Sequence, residues 1–218
     1  MLLCPSMMCA DLGRLADEVS ALEAAGADIF HLDIMDGKYV PNFALGLGDV
    51  KAIAAAAHIP CDVHLMIEDP GDYVDAFVEA GASIVYIHPE SDRHPARTLQ
   101  RIASLGAHPG LAIDTGTSLE SVSELLPLVD YVLAMTVNPG FAGQPYCNFV
   151  DGKLGRLAAC KEKYSFSLLI DGACSPERIA RLSRRGVDGF VLGTSALFGK
   201  GEYPTIFRSL RDGEDVAA

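Results

Sequence analysis

Four stretches of the chain repeat one order of apolar and polar positions. "EAAGADIFHLDI", "EAGASIVYIH", "SLGAHPGLAI" and "RRGVDGFVLG" each run from a helix end, through a glycine and a short link, into an apolar strand. The glycine suits a left-handed cap just past a helix, and the apolar run after it is too short and too β-branched for another helix. Further strands read at "LLCPS", "CDVHLMI", "DYVLAMTV" and "FSLLID", with helical spacing over residues 12–25, 72–80, 119–126 and 176–184. Strands apolar on both faces that alternate with helices predict a parallel sheet covered on its outer side. A doubly wound sheet would carry a glycine fingerprint after its first strand, but that strand runs into "PSMMCADL", which has none. About eight strand–helix units in this length suit a (β/α)8 TIM barrel. The expected organisation is one domain over residues 1–211, with "DGEDVAA" (212–218) as an unpatterned, flexible tail.

Charge narrows the partners. The 218 residues carry 17 Lys and Arg against 29 Asp and Glu, a formal net charge of −12. Such a surface repels nucleic acid and anionic membranes, so neither is an expected partner. A small anionic substrate would have to be held by local groups against the overall field. Cys4, Cys9, Cys61, Cys147, Cys160 and Cys174 contain no C-x-x-C pair and read as reduced, small core residues. "MLLCPSMMCADL" lacks the basic and apolar regions of a signal peptide, and no apolar run approaches the length of a membrane span. A cytoplasmic location is therefore expected.

The candidate chemistry lies at predicted strand ends, where such barrels build their sites. In "FHLDIMDGKYVPN", His31 and Asp33 stand at alternate positions of an apolar strand and so share one face. His64 in the third strand and Asp171 at the end of the seventh add a second imidazole and a second carboxylate. Together the four suit one divalent ion (Zn²⁺, Mn²⁺, Fe²⁺ or Co²⁺) with positions left open for substrate oxygens. Such an ion would offset carboxylates that apolar surroundings penalise; the competing reading is a hydrogen-bonded polar network without metal.

Three glycine-rich stretches follow the last three strands: "NPGFAGQ" (138–144), "DGAC" (171–174) and "GTSALF" (193–198). Loops at these places often bind phosphate through backbone N–H groups and a short helix N-terminus, although tight turns without a ligand also look like this. None of the three contains Lys or Arg, so amides would have to do the binding. Met35, Met66 and Met135 each lie on strands that supply or flank site residues. They read either as gap-filling core or as an apolar, polarizable floor under a planar intermediate. His88, in "IHPE", is expected to be a satisfied surface histidine rather than part of the mouth.

"PSMMCADL", "HLDIMDGKYVPN", "DVHLMIEDP", "MTVNPGFAGQ" and "IDGACSPE", in this order from about Leu3 to Arg211, resemble the ribulose-phosphate 3-epimerase family of TIM barrels. The resemblance implies one divalent metal on His31, Asp33, His64 and Asp171, and no organic cofactor. It implies that Asp33 and Asp171 act as base and acid on the two faces of C3 of a phosphorylated ketose, exchanging roles in the reverse direction. It places Ser6 and His64 on substrate oxygens and Met35, Met66 and Met135 along the intermediate. It gives the phosphate to Gly140, Phe141, Ala142 and Gly143, to Gly172 and Ala173, and to Gly193, Thr194 and Ser195. The family typically reads G-F-G-G-Q and D-G-G where this chain has "GFAGQ" and "DGAC". These departures, with "GTSALF" and "HPES", look more like the allulose-6-phosphate 3-epimerase branch. The leading expectation is therefore interconversion of D-allulose 6-phosphate and D-fructose 6-phosphate, with the D-ribulose 5-phosphate/D-xylulose 5-phosphate reaction as the alternative. A homo-oligomer is the one expected macromolecular partnership. A Schiff-base aldolase would need a strand-end lysine, which no predicted strand contains; a decarboxylase of the related barrels would have a lysine between its aspartates, where this chain reads "LDIMDG". A non-catalytic metal or sugar-phosphate binding barrel would gain nothing from two carboxylates reaching both faces of one carbon.

Overall fold

The structure, a computed structural model, describes residues 1–213. Eight strands, β1 (Leu2–Pro5), β2 (Phe30–Met35), β3 (Cys61–Met66), β4 (Ile84–Ile87), β5 (His108–Ile113), β6 (Tyr131–Met135), β7 (Ser167–Asp171) and β8 (Gly189–Leu192), form one parallel sheet in the order β1-β8-β7-β6-β5-β4-β3-β2. A parallel bridge between Ser6 and His31 joins the two ends, and the Asp28 N–H donates to the Leu3 carbonyl at 3.0 Å. The sheet thus closes into the expected barrel. Each strand is followed by a helix: α1 (Leu15–Ala25), α2 (Leu47–Ala56), α3 (Val74–Glu79), α4 (Pro95–Ser104), α5 (Leu119–Val122), α6 (Asp151–Tyr164), α7 (Pro176–Ser183) and α8 (Tyr203–Asp212). Among the described residues, no helix is long and apolar enough to cross a membrane.

Alternation along the strands makes two apolar layers. Outward side chains such as Phe30, Leu32, Val63 and Leu65 meet the helices in the larger core. Inward ones (Cys4, Ile29, Ile84, Tyr86, Ala112, Leu133, Leu169 and Val191) fill the barrel below the mouth. The Tyr86 ring fits there because β5 places Gly110 beside it; a Cβ at Gly110 would lie 2.3 Å from Tyr86 Cδ1. The four recurring glycines have the backbone their position demands: Gly26, Gly81, Gly106 and Gly186 have φ of 105°, 110°, 84° and 93°. Each ends a helix and turns the chain under the barrel into the next strand.

Boundaries differ from the sequence reading at several places. Residues 12–14 form a separate 3-10 turn before α1, and the helix expected at 119–126 stops at Val122 before a second 3-10 turn, Leu126–Leu128. Pro127 opposes a longer helix, because its ring would meet the Ser123 carbonyl and it disfavours helical backbone at Leu126. The expected tail at 212–218 starts too early: Asp212 is helical and Gly213, at φ 73°, caps α8. Residues 214–218 of that tail lie outside the described residues. All six cysteines are free. Cys4, Cys61 and Cys174 are buried, while Cys9, Cys147 and Cys160 are partly exposed at the edge of the core.

Candidate active site

The interior of the barrel changes character toward the carboxyl ends of its strands. Above the apolar layer, β2 turns His31 and Asp33 inward, β3 turns His64 inward and β7 ends on Asp171. One ligand atom from each of these four lies within 4.8 Å of the others. The separations are short: 3.3 Å from His31 Nε2 to Asp33 Oδ1, 3.2 Å from His64 Nδ1 to the same oxygen, and 3.8 Å from His64 Nδ1 to Asp171 Oδ2. Donors about 2.1 Å from one ion stand roughly 3.0–3.5 Å apart, so the set fits a divalent cation. Both ring nitrogens of His31 are buried without a hydrogen-bond partner, and Nε2 is the one that faces the cluster.

The two carboxyls are shifted in opposite directions. Burial alone would raise Asp33, but the His31 and His64 imidazoles beside it hold it well below the usual carboxylate range. Its other oxygen accepts from Ser6 Oγ at 2.7 Å, which fixes the carboxylate plane. Burial, and then the negative charge of Asp33, push Asp171 up to about 6. One aspartate is therefore an ionised base at neutral pH and the other is close to its titration range.

A cleft opens above this cluster. Ser6, Asp33 and Asp171 form its floor with Met35, Met66 and Met135. Gly140, Phe141, Ala142, Gly143, Gly172, Ala173, Gly193, Thr194 and Ser195 line the rest, so every glycine-loop residue expected at the site is brought together there. His31 and His64 are fully buried behind that lining. The loops brace one another. Asn42 Nδ2 donates to the Gly140 carbonyl at 2.7 Å, and Thr136 Oγ1 to the Asp171 carbonyl at 2.9 Å. Gly172 passes so close to Val137 that a Cβ would lie 2.5 Å from its Cγ2. Ala173 has φ 50°, a left-handed backbone that glycine adopts more easily, and its carbonyl accepts from Arg178 Nη1 at 2.9 Å. Residues 193–198 make a tight turn in which the N–H groups of Ala196, Leu197 and Phe198 donate to the Gly193 carbonyl.

Two second-layer side chains depart from the sequence reading. His88 is not a surface histidine: it is fully buried, with Nε2 at 2.8 Å from His64 Nε2 and Nδ1 at 3.7 Å from Glu90. It projects inward from the end of β4, where alternation with Ile84 and Tyr86 sends it. Asp62 was not anticipated. It is fully buried, and its Oδ1 lies 2.6 Å from His31 Nδ1. The signal was present in "CDVHLMI", where Asp62 stands two positions before His64 and so on the same face.

The profile of the Ribulose-phosphate 3 epimerase family matches residues 2–198. A ribulose-phosphate 3-epimerase of Aquifex aeolicus is 40% identical over 215 residues, covering 96% of this chain and 95% of that protein. One from Bacillus subtilis is 36% identical over 210 residues, covering 95% and 96%. Among solved structures, the 3-keto-L-gulonate-6-phosphate decarboxylase of Vibrio cholerae superposes with a TM-score of 0.75 over 97% of this chain and 96% of its own. At 16% identity that likeness shows the barrel alone. The sequence matches span nearly the whole chain, and the chain belongs to the ribulose-phosphate 3-epimerase family as an epimerase, an isomerase acting on carbohydrates.

Proposed function

We propose that the protein interconverts D-ribulose 5-phosphate and D-xylulose 5-phosphate, with Asp33 and Asp171 moving the protons at C3. The observation that carries this reading is the pair of carboxyls at the ends of β2 and β7, one ionised and one held up to about 6, on a common floor. Inversion needs one group to take a proton from one face of the carbon and another to give a proton to the opposite face. In one direction Asp33, fixed by Ser6, removes the C3 proton; the electron pair passes into the neighbouring carbonyl, giving an enediolate. Asp171 then delivers its proton to the other face of C3 and takes up Asp33's former role for the reverse reaction.

His31, Asp33, His64 and Asp171 would hold one divalent ion, which when bound supplies Lewis-acid polarisation of the sugar's carbonyl and positive charge beside the developing oxyanion. The methionine side chains keep water from the floor, which strengthens every charge interaction on it. Backbone amides of the three loops bind the phosphate, and binding energy at that remote group positions C3 between the carboxyls. Local amides answer the earlier charge problem, because they attract a dianion without adding a lysine or arginine to the loops.

The pentulose substrate replaces the hexulose one expected from "GFAGQ" and "DGAC". The relatives described above carry ribulose-phosphate names. The two departures keep the loop geometry a glycine would give: Ala142 is exposed at the rim of the cleft, and Ala173 keeps the left-handed turn of a glycine. Initial rates on ribulose 5-phosphate, allulose 6-phosphate and unphosphorylated ribulose test the reading together. The expected order has ribulose 5-phosphate ahead in kcat/KM, by up to roughly 10²-fold over the longer sugar, because a pocket that does not read an extra hydroxyl rejects it weakly. The unphosphorylated sugar should be far behind. A tenfold preference for allulose 6-phosphate would restore the hexulose assignment.

A further inference from the structure

We infer that Asp62 is a positioning residue that fixes His31 with Nε2, and not Nδ1, offered to the metal. The inference rests on the reading that the four-residue cluster holds a divalent ion. Asp62 stands directly opposite His31 in the β2/β3 register, and it is 0% exposed. Its one ion-pair contact among the described residues is His31 Nδ1 at 2.6 Å. Apart from that contact, both of its oxygens are buried without a hydrogen-bond partner, as is the Tyr86 hydroxyl. A buried carboxylate in such surroundings is destabilising unless it is paired. Nothing in the proton transfers uses it.

The cluster itself supplies the use. A neutral imidazole carries one N–H, and the nitrogen without it has the lone pair that binds metal. His31 directs Nε2 toward Asp33 and Nδ1 toward Asp62, whereas His64 directs Nδ1 toward Asp33 and Asp171 and Nε2 toward His88. The two imidazoles must therefore be opposite tautomers for both lone pairs to converge. A carboxylate behind His31 accepts only from an Nδ1–H, so it selects the tautomer with a bare Nε2 and raises that nitrogen's basicity. Partners of this kind typically change metal affinity by about 10–100-fold.

Zinc is a suitable probe. Competition with a chromogenic chelator on the full chain should show Asp62→Asn binding Zn²⁺ about 10–100-fold more weakly than wild type. The amide keeps the shape of the carboxylate, but it can also donate to Nδ1 and so favours the wrong tautomer. If Asp62 were only structural, the variant would alter the melting of the metal-free protein and leave Zn²⁺ affinity within twofold of wild type; that result would overturn the inference. A second measurement needs no variant. Long-range ¹⁵N–¹H spectra of zinc-loaded wild type should show His31 protonated at Nδ1, and protonation at Nε2 would refute the inference. Wild-type protein that binds no Zn²⁺, Mn²⁺, Fe²⁺ or Co²⁺ would remove the metal reading itself, an outcome distinct from equal binding by both proteins.

Discussion

Replacing Asp171 by asparagine removes a carboxyl that burial and the charge of Asp33 push up to about 6, and it has two opposite consequences. Epimerisation should fall by about 10²–10⁴-fold, because no proton can then be exchanged at one face of C3. Metal-free stability at high pH should rise. In the fold this carboxyl keeps its proton to a higher pH than the ordinary 3.8, so metal-free wild type loses stability as pH climbs from about 4 through 6. Asparagine has no charge to bury. Without metal, Asp171→Asn should therefore be more stable than wild type at pH 8, by up to about 3 kcal/mol, with the gap closing below pH 4. Thermal melts across that range check the sign, and a less stable variant at pH 8 would contradict it. At this scale the four cluster residues were legible because each interrupts an apolar strand. Asp62 interrupts one in the same way, but it sits a layer deeper than the substrate. His88 looked like a surface residue because Pro89 and Glu90 follow it, although strand alternation turns it inward.

The elements divide the molecule into a face for stability and a face for chemistry. The glycines of the recurring motif lie on the stability face, below the barrel. Gly106→Ala would force a residue with a side chain into φ 84°, in otherwise open space, and should cost about 1 kcal/mol. Gly81→Ala should cost more, because its Cβ would also come within 2.6 Å of Ala54 Cβ on the neighbouring helix. Melting temperatures should fall by about 2–4 °C per kcal/mol, with kcat/KM at 25 °C unchanged in both. Equal losses in the two variants would show that the close approach to Ala54 carries no weight. These caps were readable because glycine after a helix, followed by an apolar run, has few other uses. The short α5 was less readable, since the helical period runs on to Leu126 although the helix ends at Val122. The loop at 193–198 was readable as a glycine-rich connection, and it folds as a turn.

For the whole molecule, the closed barrel rests on two apolar layers, and the polar cluster sits above the inner one. Removing a bound metal should therefore abolish turnover without unfolding the chain. Far-UV circular dichroism of chelated protein should match that of loaded protein, and activity should return when Zn²⁺, Mn²⁺, Fe²⁺ or Co²⁺ is restored. Free metal at a hundred times Kd adds about 2.7 kcal/mol, hence roughly 5–10 °C of melting temperature for a chain of this size. Collapse of secondary structure on chelation would instead make the ion a structural one. The net charge of −12 bears on the same scale: a dianionic substrate is held by local amides within a repelling field.

The claim that joins these scales is proton exchange at C3 by two carboxyls on opposite faces, and isotope incorporation tests it most directly. Metal-loaded protein should be incubated with ribulose 5-phosphate in deuterium oxide and the product read by NMR. The expected product is xylulose 5-phosphate carrying solvent deuterium at C3, formed at a rate that Asp33→Asn and Asp171→Asn each reduce by about 10²-fold or more. Xylulose 5-phosphate that keeps the original hydrogen at C3, or no epimer at all from the loaded protein, would contradict it.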